Sequence, residues 1–191
     1  FCKGVDEIGF PQLEFLFLSE LPKLKSFCIL ASSEGNHNTT FRSPSLFNLK
    51  KGPTQSLCLG NLQTFQVHDC GSMGSLFPQS MATTLGQLET LEVRQCIMME
   101  EIVWKEIGKD QDTNKIEFPK LKTLEIVSLQ NLTGFCEGID KIEIPQLERL
   151  FLQDIPKLKS FCPIMSSPTL DSNHDMALQS LLNQKVAFPS L

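Results

Sequence analysis

What most constrains the folding of this chain is a register of seven apolar positions that returns five times. In the stretch Ile144 to Cys162, IPQLERLFLQDIPKLKSFC, the apolar side chains fall at Ile144, Leu147, Leu150, Leu152, Ile155, Leu158 and Phe161. Counted from Leu147, these are offsets −3, 0, +3, +5, +8, +11 and +14. Windows anchored at Leu13, Leu62, Leu88 and Leu121 carry only apolar residues or Cys at the same offsets. The chain is 41% hydrophobic overall, so composition alone does not produce this coincidence. Leu150 and Leu152 alternate with Phe151, the two-residue period of a strand. Each window therefore predicts a strand at about offsets +2 to +6, followed by a turn-like or 3₁₀ return where the apolar step is three. One such unit cannot bury its own apolar face, so neighbours must stack, with their strands paired in parallel.

The anchors lie at Leu13, Leu62, Leu88, Leu121, Leu147 and Leu191, the last in a window that is cut short. Two of the spacings are 26, while 49, 33 and 44 leave extra, mostly polar residues. The expected organisation is one elongated solenoid over 1–191, with about five to six irregular repeats and loops near 31–57, 104–116 and 163–186. The first loop either is irregular throughout or holds a degenerate repeat near Leu46 and Leu57. Met81 to Leu85 reads as a helical turn, and 177–185 as a short helix. Residues 2–28 and 136–162 are near-copies that align without gaps, so whole blocks have been duplicated. The chain starts at what matches the end of a repeat and stops inside another, which reads as a piece of a longer protein.

A net charge of −5 and a sequence pI of about 5.2 disfavour binding to a nucleic-acid backbone. No apolar run approaches the roughly 18 residues of a membrane span. The seven cysteines are odd in number. Cys70 and Cys96 sit at offset +8, and Cys28, Cys136 and Cys162 at +15, so they read as small buried apolar residues. That pattern argues against a full disulfide framework and for a reducing, cytoplasmic setting.

The spacing L-x-x-L-x-L-x-x-C-x-x-L, with Cys at +8, resembles the leucine-rich repeats of plant nucleotide-binding, leucine-rich-repeat disease-resistance receptors, above all those of the coiled-coil class. FPQLEFLFLSELPKLKSFC, SLFPQSMATTLGQLETLEVRQCIMMEEIV and LLNQKVAFPSL carry the resemblance, with the repeat at 118–162. It implies an α/β-type leucine-rich-repeat solenoid. In that fold a curved parallel sheet forms the concave face, and the convex returns are mostly irregular, 3₁₀ or short helical. It also implies a ligand-recognition and autoregulatory module of an intracellular plant immune receptor. Its partners would be a pathogen effector or guarded host protein and the receptor's own nucleotide-binding module. The ATP/ADP site of such a receptor would lie elsewhere: no G-x-x-x-x-G-K-[ST] occurs here, and Gly108-Lys109 is followed by Asp. No window has Asn at +8, where extracellular plant repeats would carry it. The second reading is a leucine-rich-repeat adaptor in another cytosolic complex, such as a ubiquitin-ligase substrate receptor.

Chemistry finds little support. His68 and Cys70 are a tempting base and nucleophile, but Cys70 falls in the core register and His68 at an outward offset. His37, His68 and His174 are scattered and no C-x-x-C occurs, so neither a metal site nor an enzyme is expected. The strand alternation instead predicts a binding row at +4 on the concave sheet, consisting of Phe17, Gln66, Glu92, Glu125 and Phe151. Glu14, Glu89, Glu148, Arg94 and Arg149 would border it. Exposed aromatics beside mixed charge are the composition of an interface. The candidate protein-binding residues are Phe17, Gln66, Glu92, Arg94, Glu125, Arg149 and Phe151.

Overall fold

The computed structural model describes residues 2–3, 8–26, 28–29, 45–48, 57–106, 115–139, 141–159 and 186–187. Most of the three expected loops, the 177–185 helix, Phe161 and Cys162 lie outside the described residues.

Five strands, β1 (Phe15–Ser19), β2 (Thr64–His68), β3 (Thr90–Arg94), β4 (Thr123–Val127) and β5 (Arg149–Gln153), build one parallel sheet in the order β5-β4-β3-β2-β1. Each occupies offsets +2 to +6 of its window. Leu16, Phe65, Leu91, Leu124 and Leu150 are successive partners across the sheet, as are Leu18, Val67, Val93, Ile126 and Leu152. Register survives the unequal repeat lengths because a one-residue slip would carry a whole inward row to the other face.

In the windows anchored at Leu62, Leu88 and Leu121, every residue at the seven offsets is buried. The flanking windows are less well covered. Leu16, Leu150, Leu152, Ile155 and Leu158 are half-buried against the core, and Phe10 and Leu21, both expected inside, are exposed. Among the described residues β1 and β5 each have a partner strand on one side only, so one neighbour shields them instead of two.

The apolar steps of three mark turns. Leu88 N–H donates to Leu85 O at 3.1 Å and Met99 N–H to Cys96 O at 3.0 Å, with equivalent bonds at both turns of the windows anchored at Leu13, Leu121 and Leu147 and at the first turn of that anchored at Leu62. Beyond the second turn the expectation of a 3₁₀ or helical return needs correction. Cys28–Ile29, Phe77–Pro78, Glu101–Trp104 and Gly134–Cys136 are extended. Val103 pairs in parallel with both Phe77 and Cys136. A buried return must satisfy its backbone N–H and C=O groups, and the same offset of the next repeat offers partners along the whole segment. β-Branched residues such as Ile102 and Val103 suit that extended form. The one helical turn described is Gln79–Ala82, close to the turn expected at Met81.

Further parallel pairs lie ahead of β1, β2, β4 and β5, whereas ahead of β3 the helical turn Gln79–Ala82 takes that place. Ile8–Gly9 pairs with Leu57–Cys58, and Lys115–Glu117 with Lys141–Glu143, which also pairs with Val186–Ala187. These segments centre on offset −5, where Ile8, Leu57, Ile116, Ile142 and Val186 are all apolar. From −5 to +15 the repeats keep one length. Their differences in length all fall between offset +15 of one window and offset −5 of the next, as between Val103 and Ile116.

Parts of the expected loops are ordered rungs. Leu57, Trp104, Lys115 and Ile116 lie in strands, and Phe47–Asn48 pairs with Cys28–Ile29. Ser45 bridges Ser75, and Leu46 and Phe47 are buried. Trp104 Nε1–H donates to Ser45 Oγ at 2.8 Å. The Phe47 and Phe77 rings lie 6.2 Å and 6.1 Å from that of Phe65. Residues 45–48 supply a return rung but no strand to the main sheet, since β1 pairs directly with β2.

Candidate protein-interaction face

Side chains at +3 and +5 turn into the core, so those at +2, +4 and +6 share the opposite face of the sheet. Phe17, Gln66, Glu92, Glu125 and Phe151 are partners in succession and form one row across the five strands. Each strand stops at the same point. Glu20, Asp69, Gln95, Ser128 and Asp154, all at +7, have φ of 55°, 52°, 54°, 55° and 54°. This left-handed conformation turns the chain off the sheet. It is held there because the N–H of Glu20, Asp69, Gln95 and Ser128 each donates to the +6 carbonyl of the next strand. None of the five is Gly, so each bears the Cβ crowding of that region, about 1–2 kcal/mol.

The centre of the face is a hydrogen-bonded cluster organised by Glu92. Gln66 Nε2 donates to Glu92 Oε2 at 2.7 Å, and His68 Nε2 lies 3.0 Å from Glu92 Oε1. Arg94 Nε pairs with Glu92 Oε1, while its Nη2 donates to Glu125 Oε2 at 2.6 Å. Alternation places Glu92 on the outward face, yet it is 9% exposed. Its correction follows from these partners, which close over the carboxylate and exchange solvent for charge-assisted hydrogen bonds. Glu92 therefore shapes the surface from beneath. Nearby, Lys122 Nζ donates to Glu89 Oε2 at 2.9 Å. That hydrogen bond, then the ammonium charge, holds the Glu89 carboxyl below its usual range, and the same bond raises Lys122.

The ends of the face are apolar. Phe17 is 46% exposed and Phe151 44%. The Phe17 ring stands edge-on to His68, with centroids 5.0 Å apart and planes at 80°. Arg149 is exposed beside Phe151. Two residues outside the expected set belong to this surface. Phe15, at +2 beside Phe17, is 55% exposed, and the alternation that placed Phe17 outward also placed Phe15 there. His68, weighed in the sequence as a base and as a metal ligand, ties Phe17 to Glu92.

Cys70 lies under this face with its thiol buried, and Sγ–H donates to His68 O at 3.2 Å. Burial pushes the Cys70 thiol up and the Cys96 thiol up to about 12. A buried, protonated thiol is a poor nucleophile. Cys70 and Cys96 are free. Among the described residues, no group of three or more His, Cys, Asp or Glu is placed to hold a metal ion. No helix there is long and apolar enough to cross a membrane.

Residues 44–97 match the family described as plant disease resistance protein RPS2-like, leucine-rich repeats. The match supports a leucine-rich-repeat region of a plant resistance protein. It spans β2 and β3, and so includes Gln66, His68, Glu92 and Arg94, while Phe17, Glu125, Arg149 and Phe151 fall outside it. Parallel strands with almost no helix are consistent with a leucine-rich-repeat type of α/β fold. No curated protein and no solved structure matches the chain.

Proposed function

We propose that the chain is the recognition and autoregulatory module of an intracellular plant immune receptor. In this reading the five-stranded sheet is the concave wall of a curved solenoid. The observation that carries it is the row itself. A chain matching disease-resistance repeats over 44–97 presents half-exposed Phe17 and Phe151 at the two ends of one in-register line of side chains. Leucine-rich repeats generally mediate protein contacts, and exposed aromatics beside Arg are the residues that dominate such contacts. The partner would be a pathogen effector or guarded host protein, with the receptor's own nucleotide-binding module as the intramolecular alternative. ATP or ADP would bind in that module. The free thiols of Cys70 and Cys96 support a reducing, cytoplasmic setting. The family match does not favour an adaptor of another cytosolic complex.

The test replaces Phe17, Phe151 and Arg149 singly by Ala in the full-length receptor and assays defence signalling in plant tissue. Loss of elicited signalling is expected for a recognition contact, and signalling without elicitor for an autoinhibitory one. Wild-type signalling by all three variants, in protein of undiminished abundance, removes this face from the function.

A further inference from the structure

We propose that the open face takes a cationic protein segment lying across the strands, with an apolar side chain seated at each end, one on Phe17 and one on Phe151. This rests on the reading of the face as a recognition surface and specifies its ligand.

The duplicated blocks supply the first argument. Where residues 2–28 have Phe15, Phe17 and Ser19 on the open face, the copy at 136–162 has Arg149, Phe151 and Gln153. The flanking outward residues differ and the +4 Phe is the same. The fold does not require Phe there, because Gln66, Glu92 and Glu125 occupy +4 in the three strands between. Two exposed rings have been kept at a position where the architecture accepts Gln or Glu.

Geometry supplies the second. Phe17 and Phe151 sit in one row, four strand spacings apart, which is about 19 Å. A ligand reaching both must run perpendicular to the strands. An extended chain advances about 3.3 Å per residue and covers that span in roughly six residues.

Charge supplies the third. At the middle of the row Glu92 and Glu125 share the guanidinium of Arg94, while the other guanidinium of the face, Arg149, stands at one end beside Phe151, so the carboxylate excess is confined to the middle. Lys122 is already engaged by Glu89. A cation between the two apolar anchors meets that excess, and the Phe ring faces also favour cations. A second copy of this chain is a poor occupant: it carries a net charge of −5 and would set carboxylates against carboxylates.

The test uses the full chain and a fluorescent heptapeptide, Trp-Ser-Lys-Ser-Lys-Ser-Trp, which in extended form projects both Trp and both Lys to one side. Control peptides carry Glu for Lys, or Ala for either Trp. Anisotropy titration should show the parent peptide binding about tenfold more tightly than each control. Phe17→Ala and Phe151→Ala should each weaken it by about tenfold, the cost of one anchor, with Met98→Ala, on a turn away from the face, unchanged. Thermal melts establish that the variants fold. Equal binding of the Glu peptide, no loss with a single Trp, or sensitivity to only one of the two Phe overturns the inference. So does concentration-dependent dimerisation that Phe17→Ala abolishes, which would make a second copy the occupant. If the peptides fail to discriminate while Phe17→Ala still abolishes defence signalling, this inference falls and the proposed function stands.

Discussion

At the scale of the residue, Cys96 shows how position overrides chemical type. A thiol is among the more reactive side chains, yet at +8 it is sealed beneath the sheet, and Sγ–H donates to Arg94 O at 3.3 Å. Burial, the largest influence, raises its pKa from 9.0 to about 12. The folded state thus keeps the proton over a range in which the unfolded chain has lost it. Stability from this group is complete below pH 9 and declines as pH rises from about 9 towards 12. Urea unfolding of the wild type should show that decline, and Cys96→Ser, whose hydroxyl does not titrate there, should show a shallower one. Equal slopes would mean that the thiol is not buried as described. The core role of Cys96 was readable from its offset alone. The burial of Glu92 was not, because alternation decides which face a residue takes but not how far its neighbours fold over it. Gln66, His68 and Arg94 come from two strands and meet Glu92 only once the register brings them together.

At the scale of the element, the strand stop at +7 recurs five times with five non-glycine residues in left-handed geometry. Gln95 is exposed and follows β3, the middle strand. Gly at this position removes about 1–2 kcal/mol of crowding and gives back about 0.5–1 kcal/mol in chain entropy. Gln95→Gly should therefore stabilise the fold by about 0.5–1 kcal/mol in a urea titration, while Gln95→Pro should destabilise it through loss of the N–H bond to Val127 O. Destabilisation by Gly would show that the turn is not strained. The five strands were legible to the residue because inward and outward offsets differ in polarity. The returns were misjudged because a step of three is shared by 3₁₀ helices and by tight turns. Here it marks turns, and the segment after them is extended to pair with Phe77, Val103 and Cys136 in series. Leu124 and Leu150 occupy the same offset, +3. Leu124 is buried and Leu150 half-buried, a difference set by neighbours rather than by the repeat itself.

At the scale of the whole molecule, the described residues form five parallel sheets, and the segment at 45–48 is a strand in only one of them, beside Cys28–Ile29. Its hold depends on Ser45, whose Oγ accepts the Trp104 indole N–H and lies 3.2 Å from the carbonyls of Leu76 and Phe47. Ser45→Ala leaves a half-buried indole without that acceptor and should cost about 1–3 kcal/mol. The loss should be local first. Hydrogen exchange at the Phe47 amide, which donates to Leu76 O at 3.0 Å, should quicken more than at the amides of β3. Uniform quickening would contradict a separate role for the segment. The sequence left this stretch as either a loop or a degenerate repeat near Leu46 and Leu57, since the hydrophobic register shows which residues are buried and not which strands they pair with.

The confinement of length differences to the stretch between offsets +15 and −5 has a consequence for how such chains change over generations. Residues gained or lost there, as between Val103 and Ile116, leave the position of every outward side chain on the five strands where it was. Substitution on the open face leaves the spacing of the rungs equally untouched. Insertion and substitution thus act on separate variables of one molecule, and a lineage can explore either at its own pace without first undoing the other.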